Sequence, residues 1–247
     1  VYGYYLAGVE PDFSLNGIIS SWRVLPHVVR YIMERRGVLT MAAAQVGGFF
    51  RSGPNVQTPD LQMQFRPFSM MISSDGKYKT ARQPGVTASI GHLRPHSRGR
   101  LTLRSPDPAD QPHFVMNYLV EEEDQRAMIA GMRILRSLFE ASPMREHVVE
   151  ETAPGGKCRS DADMLAYLQA TAQSMYHPVG TCKMGQDEDA VVDERLKVKG
   201  IHGLRVVDAS IMPSIPSGNT NAPTIMIAER ASDLIREETA ATLRSAH

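Results

Sequence analysis

Apolar residues recur at helical spacing in several stretches of the chain. From Glu121 to Ala141, Met128, Met132, Leu135, Leu138 and Phe139 form one stripe behind an acidic start, Glu121-Glu122-Glu123-Asp124. Acidic residues there suit the positive end of a helix dipole, and the stripe predicts a helix with one face on a core. Ser160 to Ala172 predicts a second helix, capped by Ser160 or Asp161, with Met164, Leu165 and Leu168 turned inward. Gly17 to about Arg36 predicts a third, in which Ile18, Ile19, Trp22, Leu25, Val28, Val29 and Ile32 recur before Arg35-Arg36-Gly37 closes it. A final helix runs from about Ala222 to beyond Ile235 and then turns polar at Arg236-Glu237-Glu238.

Elsewhere the pattern is extended. Tyr2 to Leu6 reads as a strand, and Leu61 to Phe68 alternates as Leu-Gln-Met-Gln-Phe-Arg. Ala44 to Phe50 contains a Gly-Gly pair, and Val86 to Leu93 leads on to a further extended piece, Gly99 to Leu103. Ser52-Gly53-Pro54-Asn55 and Ser74-Asp75-Gly76-Lys77 mark turns between them. Strands joined without a helix after each predict an antiparallel sheet, and hence an α+β fold. The chain opens on Val1, already inside a strand, so the first residue is not expected to be a natural beginning.

Composition narrows the function classes. A formal net charge of zero gives no reason to expect nucleic acid or an anionic membrane as partner. No apolar run reaches the roughly 18 residues of a transmembrane segment. Cys158 and Cys182 are too few for a disulfide framework and lack C-x-x-C spacing. They point to a reducing, cytoplasmic compartment, with peripheral membrane association left open. No pair of histidines or cysteines has metal-ligand spacing; His92 and His96 are separated by Pro95, so no metal site is expected.

The chemistry gathers near the C-terminal end. His177 stands in Met175-Tyr176-His177-Pro178-Val179-Gly180-Thr181-Cys182-Lys183-Met184-Gly185. Proline and glycine deny it a helix and mount the imidazole on an irregular loop, either as a general base or as a packing residue. Leu204-Arg205-Val206-Val207-Asp208 reads as a short buried strand whose terminal carboxylate either accepts ligand hydroxyls or caps the next turn. Asn219-Thr220-Asn221 precedes Ala222-Pro223-Thr224, with Asn221 able to cap the last helix and Pro223 tolerated in its first turn. Such a helix start either serves packing alone or faces an anionic ligand.

Taken together, the His177–Gly185 stretch, Gly203-Leu204-Arg205-Val206-Val207-Asp208-Ala209-Ser210 and Asn219–Thr224 resemble the C-terminal signature of the glucose–methanol–choline (GMC) flavoprotein oxidoreductases, nearest the choline and aliphatic-alcohol dehydrogenase branch. Arg36-Gly37-Val38-Leu39-Thr40, Phe50-Arg51-Ser52 and Pro59-Asp60-Leu61-Gln62 are similar to that branch's substrate domain. The resemblance implies a substrate domain of antiparallel sheet with flanking helices over residues 1–172. It implies that residues 173–247 carry the catalytic loop and the returning segment of an α/β FAD-binding domain. It further implies His177 as catalytic base and Asn219 as the second active-site residue. Asp208 and Ala209 would touch FAD, and Thr220 and Asn221 would lie near its isoalloxazine ring. The implied reaction is oxidation of a primary alcohol, with a quinone, another carrier or oxygen as electron acceptor.

One departure matters. The family's G-x-G-x-x-G loop has no counterpart in the sequence, so the pyrophosphate of FAD lacks its main backbone donors. The expectation is a C-terminal half that needs a complementary N-terminal FAD-binding half, and that holds flavin poorly alone. The alternative is an inactive truncated fragment.

Overall fold

The computed structural model describes residues 1–42, 44–72 and 78–245. The turn expected at Ser74-Asp75-Gly76-Lys77 lies outside the described residues. By their contacts the residues group into two compact units, Val1–His92 with Tyr118–Met175, and Leu93–Asn117 with Tyr176–His247.

The first unit is built on a five-stranded antiparallel sheet in the order β2-β3-β6-β1-β9. Its strands are β1 (Tyr2–Val9), β2 (Val46–Phe50), β3 (Leu61–Arg66), β6 (Gly85–His92) and β9 (Val148–Ala153). A short hairpin, β4 (Met70–Ile72) and β5 (Tyr78–Thr80), lies between β3 and β6 in sequence. Every residue of β6 is buried, whereas β1 largely alternates between buried and half-buried positions.

Helices α1 (Asn16–Ile19) and α2 (Leu25–Glu34) precede β2. After β6 come α3 (Glu122–Glu140), the single-turn α4 (Met144–His147) and α5 (Asp161–Thr171). Helix α3 lies on β6 and β1, and its stripe Met128, Met132, Leu135 and Phe139 is buried with Val86, Ala88 and Ile90 in one core. Gly131 lets the helix approach: a Cβ there would stand 2.7 Å from Ile90 Cγ1. Leu138, expected on the stripe, is exposed, because it sits about 100° around the helix from Phe139. Ser160 caps α5 in a reciprocal box with Asp163, each side chain accepting the other's backbone N–H at 3.1 Å.

The helix expected from Gly17 to Arg36 is broken. Ser20 and Ser21 turn their hydroxyls onto the Asn16 and Gly17 carbonyls, at 2.5 and 2.6 Å. Ser21 then goes extended and accepts the Arg23 N–H, starting a 3₁₀ turn over Trp22–Val24 that leads into α2. Serine competes with the helix backbone in this way wherever its hydroxyl can reach a local carbonyl.

The second unit holds a small hairpin, β7 (Arg100–Thr102) with β8 (His113–Val115), and the long α6 (Asn221–Ser245). The rest is irregular chain around Val192, Leu196, Ile211, Met212, Ile227 and Ala231. The expected strand Leu204–Asp208 is not formed. Only Arg205 makes a bridge, to Lys197, and Leu204 is exposed. The segment is one arm of a loop closed by Val198 N–H to Leu204 O and Val206 N–H to Leu196 O, too short a ladder to make a strand. Glu238 of α6 pins this loop by pairing with Lys197 and Arg205. Among the described residues no helix is long and apolar enough to cross a membrane.

In the first unit Arg136 and Glu151 form a nearly buried ion pair. Arg136 Nε and Nη2 donate to Glu151 at 2.8 and 2.6 Å, tying α3 to the edge strand β9, and Nη2 also donates to the Cys158 carbonyl at 2.9 Å. Removing one partner leaves an uncompensated charge out of water. Glu151→Ala is therefore expected to lower stability by about 3–5 kcal/mol, read as a drop in the urea midpoint. Pairing Glu151→Leu with Arg136→Met should recover most of that loss.

Candidate active site

The His177 loop is held by backbone. Asp208 accepts the Ser210 N–H at 2.7 Å and so caps a 3₁₀ turn over Ala209–Ile211. The carbonyls of that turn receive the loop: Ser210 O accepts Gly180 N–H and Cys182 N–H, both at 3.0 Å, and Ile211 O accepts Met184 N–H at 2.8 Å. Val179 and Ala209 pack onto the unit's core beneath. Gly180 has φ +89°, a left-handed conformation that costs L-residues with a side chain, and this explains the glycine. Tyr176, immediately before the histidine, is left-handed too (φ +60°).

The second arm of the site is the approach to α6. Ser217 is left-handed (φ +53°), and its hydroxyl accepts from Arg94 Nη1 at 3.1 Å. That contact fixes the turn just before Asn219. Thr220, buried, is the cap of α6: its carbonyl accepts the Thr224 N–H at 3.0 Å. The cap falls one residue before the expected Asn221, which instead occupies the first helical position. Pro223 at the third helical position has no N–H to offer the cap side chain, so the Thr220 hydroxyl is available for another partner.

That partner is His177. Its Nδ1 lies 3.1 Å from Thr220 Oγ1, and its Nε2 lies 2.8 Å from Asn219 Nδ2. An amide nitrogen donates, so Nε2 is the acceptor and the ring proton belongs on Nδ1, directed at Thr220. Partial burial lowers the His177 pKa below its usual 6.5, and the ring is neutral at neutral pH. The geometry thus presents a neutral imidazole whose basic lone pair points toward an exposed amide.

Three of the six residues singled out from sequence, His177, Asn219 and Thr220, are in direct hydrogen-bond contact. Asp208 and Ala209 stand one step behind, in the turn that supports the histidine loop. Asn221 is exposed at the start of α6, whose first turn carries no acidic side chain. The free N–H groups of Asn221 and Ala222 at this start can hold an anionic group. Sequence reasoning assigned Thr220 only through its backbone. The signal for its side chain was the proline three residues on, which removes the N–H that a capping threonine uses. Arg94 carried no sequence signal, since it is far from the motif along the chain. Among the described residues no three His, Cys, Asp or Glu side chains are grouped to hold a metal ion.

If Thr220 sets the tautomer, Thr220→Val should raise the share of ring proton on Nε2, seen in the ¹⁵N shifts of His177. In the unaltered chain the same spectra should show Nδ1–H and a pKa below 6.5. The sign follows for stability. Below pH 6.5 the unfolded histidine takes up its proton before the folded one, so this residue's contribution is complete above 6.5 and falls as pH drops toward the lowered value.

Comparison with known proteins shows the family and the fold. The family described as GMC oxidoreductase matches residues 95–228. An alcohol dehydrogenase [acceptor] of Pseudomonas putida is 46% identical over 228 residues, covering 92% of this chain and 40% of that protein. An oxygen-dependent choline dehydrogenase of Burkholderia cenocepacia is 41% identical over 226 residues, covering 92% of this chain and 39% of that protein. Among solved structures, a formate oxidase variant of Aspergillus oryzae superposes with a TM-score of 0.86 at 24% identity, covering 96% of this chain and 46% of the other. That last likeness establishes shared fold. The chain thus spans about two fifths of the length of the curated relatives it matches.

Proposed function

The chain belongs to the GMC oxidoreductase family, and from that premise we propose that its residues serve the FAD-dependent oxidation of a primary alcohol to an aldehyde. The observation that carries the reading is the His177 ring held between Thr220 and Asn219 with its acceptor nitrogen facing the amide. Because the chain spans about 40% of its relatives, the activity is assigned to it together with a complementary FAD-binding half. The electrons then pass to an acceptor, a quinone, another carrier or oxygen.

The residues present fit the cofactor. The start of α6 offers unclaimed N–H donors and no acidic side chain, which suits the anionic edge of a reduced flavin. Asp208 is exposed beyond its capping bond, and Ala209 is small enough for close approach of a hydroxylated chain. FAD, when bound, supplies the acceptor for the hydride that leaves the carbinol carbon.

The chain's own part is proton chemistry and orientation. A substrate hydroxyl enters between Nε2 and the Asn219 amide, replacing their mutual contact. His177 Nε2 takes the hydroxyl proton, which raises the electron density on the oxygen and favours loss of hydride from its carbon. Asn219 hydrogen-bonds the same oxygen and holds it in line. Thr220 keeps the Nδ1 proton in place, so the lone pair stays on the nitrogen that needs it. Desolvation works in the same direction, keeping the free base available at neutral pH.

The test is complementation. The chain alone is expected to purify with little flavin absorbance. Joined to a Gly-rich FAD-binding half, it should oxidise a primary alcohol, with the acid limb of kcat/KM falling below pH 6.5. His177→Ala should cut turnover by about 10²–10⁴-fold while flavin is retained. Asn219→Ala should cost roughly tenfold in kcat/KM, the worth of one hydrogen bond. Full turnover by the flavin-loaded His177→Ala pair would sink the assignment.

A further inference from the structure

Of the five asparagines in the chain, Asn16 alone is followed by glycine. That pair is chemically labile. With no Cβ on the next residue, its backbone nitrogen can reach the asparagine Cγ and expel the amide as ammonia. In this fold the reaction is blocked. Asn16, at the first position of α1, is fully buried, and both ends of its side chain are held. Nδ2 donates to Ser69 O at 2.9 Å and to Ala81 O at 2.6 Å, while Oδ1 accepts the Ser69 N–H at 2.8 Å. Ser14 Oγ lies 2.8 Å from Oδ1 as well. An amide fixed at every donor and acceptor cannot turn its carbon onto Gly17 N, and burial keeps away the water that completes the reaction.

The partners of Asn16 decide what its loss would do. Ser69 and Ala81 flank the hairpin β4–β5, and the Ala81 N–H donates to Ser69 O at 3.0 Å. The Asn16 side chain therefore ties α1 to the base of the hairpin. A carboxylate in place of the amide would set an oxygen against both carbonyls, with no proton to offer either. Gly17 itself is not demanded by the backbone. Its φ lies outside the left-handed region, and among the described residues nothing stands within 4 Å of a Cβ built there. Glycine is also a poor helix residue. What Gly17 does provide is access to Asn16 Cγ whenever α1 comes loose.

We propose that Asn16–Gly17 is a latent deamidation site, closed by the fold and opened when the α1 turn lifts off the hairpin base, so that local opening modifies the chain irreversibly. Gly17 N bonds to Asn16 Cγ, the Cγ–Nδ2 bond breaks, and ammonia departs with the Gly17 amide proton. Water then opens the cyclic imide at either carbonyl, leaving aspartate or its β-linked isomer. Neither product can rebuild the contacts to Ser69 and Ala81, so α1 and the hairpin stay apart. Nothing in this inference depends on the redox chemistry proposed above.

The test is peptide mapping by mass spectrometry of the full chain, held at mildly alkaline pH across a urea series. Asn16 should deamidate at least about tenfold more slowly in buffer than in unfolding urea, the factor that an opening free energy of about 1.4 kcal/mol gives. The rate should begin to climb at urea concentrations where far-UV circular dichroism is still native. Gly17→Ala keeps every Asn16 contact and should deamidate severalfold more slowly in unfolding urea. The deamidated fraction, separated by its added negative charge, should lose hydrogen-exchange protection at the Ser69 and Ala81 amides. Three results would overturn the inference: Asn16 reacting no faster in unfolding urea than in buffer, a rate that rises only with global unfolding, or a deamidated fraction in which those two amides stay as protected as before.

Discussion

Asp208 closes the turn on which the site is assembled. Its carboxylate accepts the Ser210 N–H, and this bond orients the Ser210 and Ile211 carbonyls toward the loop that carries His177. Three backbone bonds then hold that loop. Without the cap, the carbonyls would be free to rotate toward solvent and the histidine would lose its fixed distance to Thr220 and Asn219. A residue that the family resemblance assigns to the cofactor is thus also the mechanical support of the His177 loop. The two roles are compatible because one carboxylate has several acceptor sites.

The elements readable from sequence were those whose pattern is local. The α3 stripe shows because its spacing is carried by consecutive turns of one helix, and the Ser160 box because both partners lie within four residues. The break after Ile19 depended on where two serine hydroxyls turned, which spacing does not reveal. Strand β9, Val-Val-Glu-Glu-Thr-Ala, has no clean alternation. Its Glu151 is drawn inward by Arg136, a partner on α3 that no local pattern announces. The Leu204–Asp208 segment had a strand's composition but lacks a paired neighbour of any length, and composition cannot supply one.

The site was legible as a list and not as a geometry. Histidine, asparagine and threonine were singled out by the family resemblance of their motifs. Which nitrogen of the ring is basic required knowing that Pro223 withholds an N–H, that the Thr220 hydroxyl is thereby released, and that it lies beside Nδ1. Arg94 and Ser217, which fix the turn before Asn219, are separated by more than a hundred positions.

The second unit is discontinuous: it takes Leu93–Asn117 and then waits for Tyr176 onward, while Tyr118–Met175 completes the first. A nascent chain is made in order, and domains tend to condense as their last segment emerges. The first unit can therefore close while Leu93–Asn117 is still without its partners. The contact from Arg94 to Ser217, and with it the turn that presents Asn219, waits for chain synthesised much later. Ribosomal stalling or premature termination between the two would yield a folded sheet-and-helix body with an orphaned segment and no His177 cluster. Assembly of the His177–Asn219–Thr220 cluster thus comes late in biosynthesis, and a cell that degrades chains with the orphan exposed would remove only molecules that lack it.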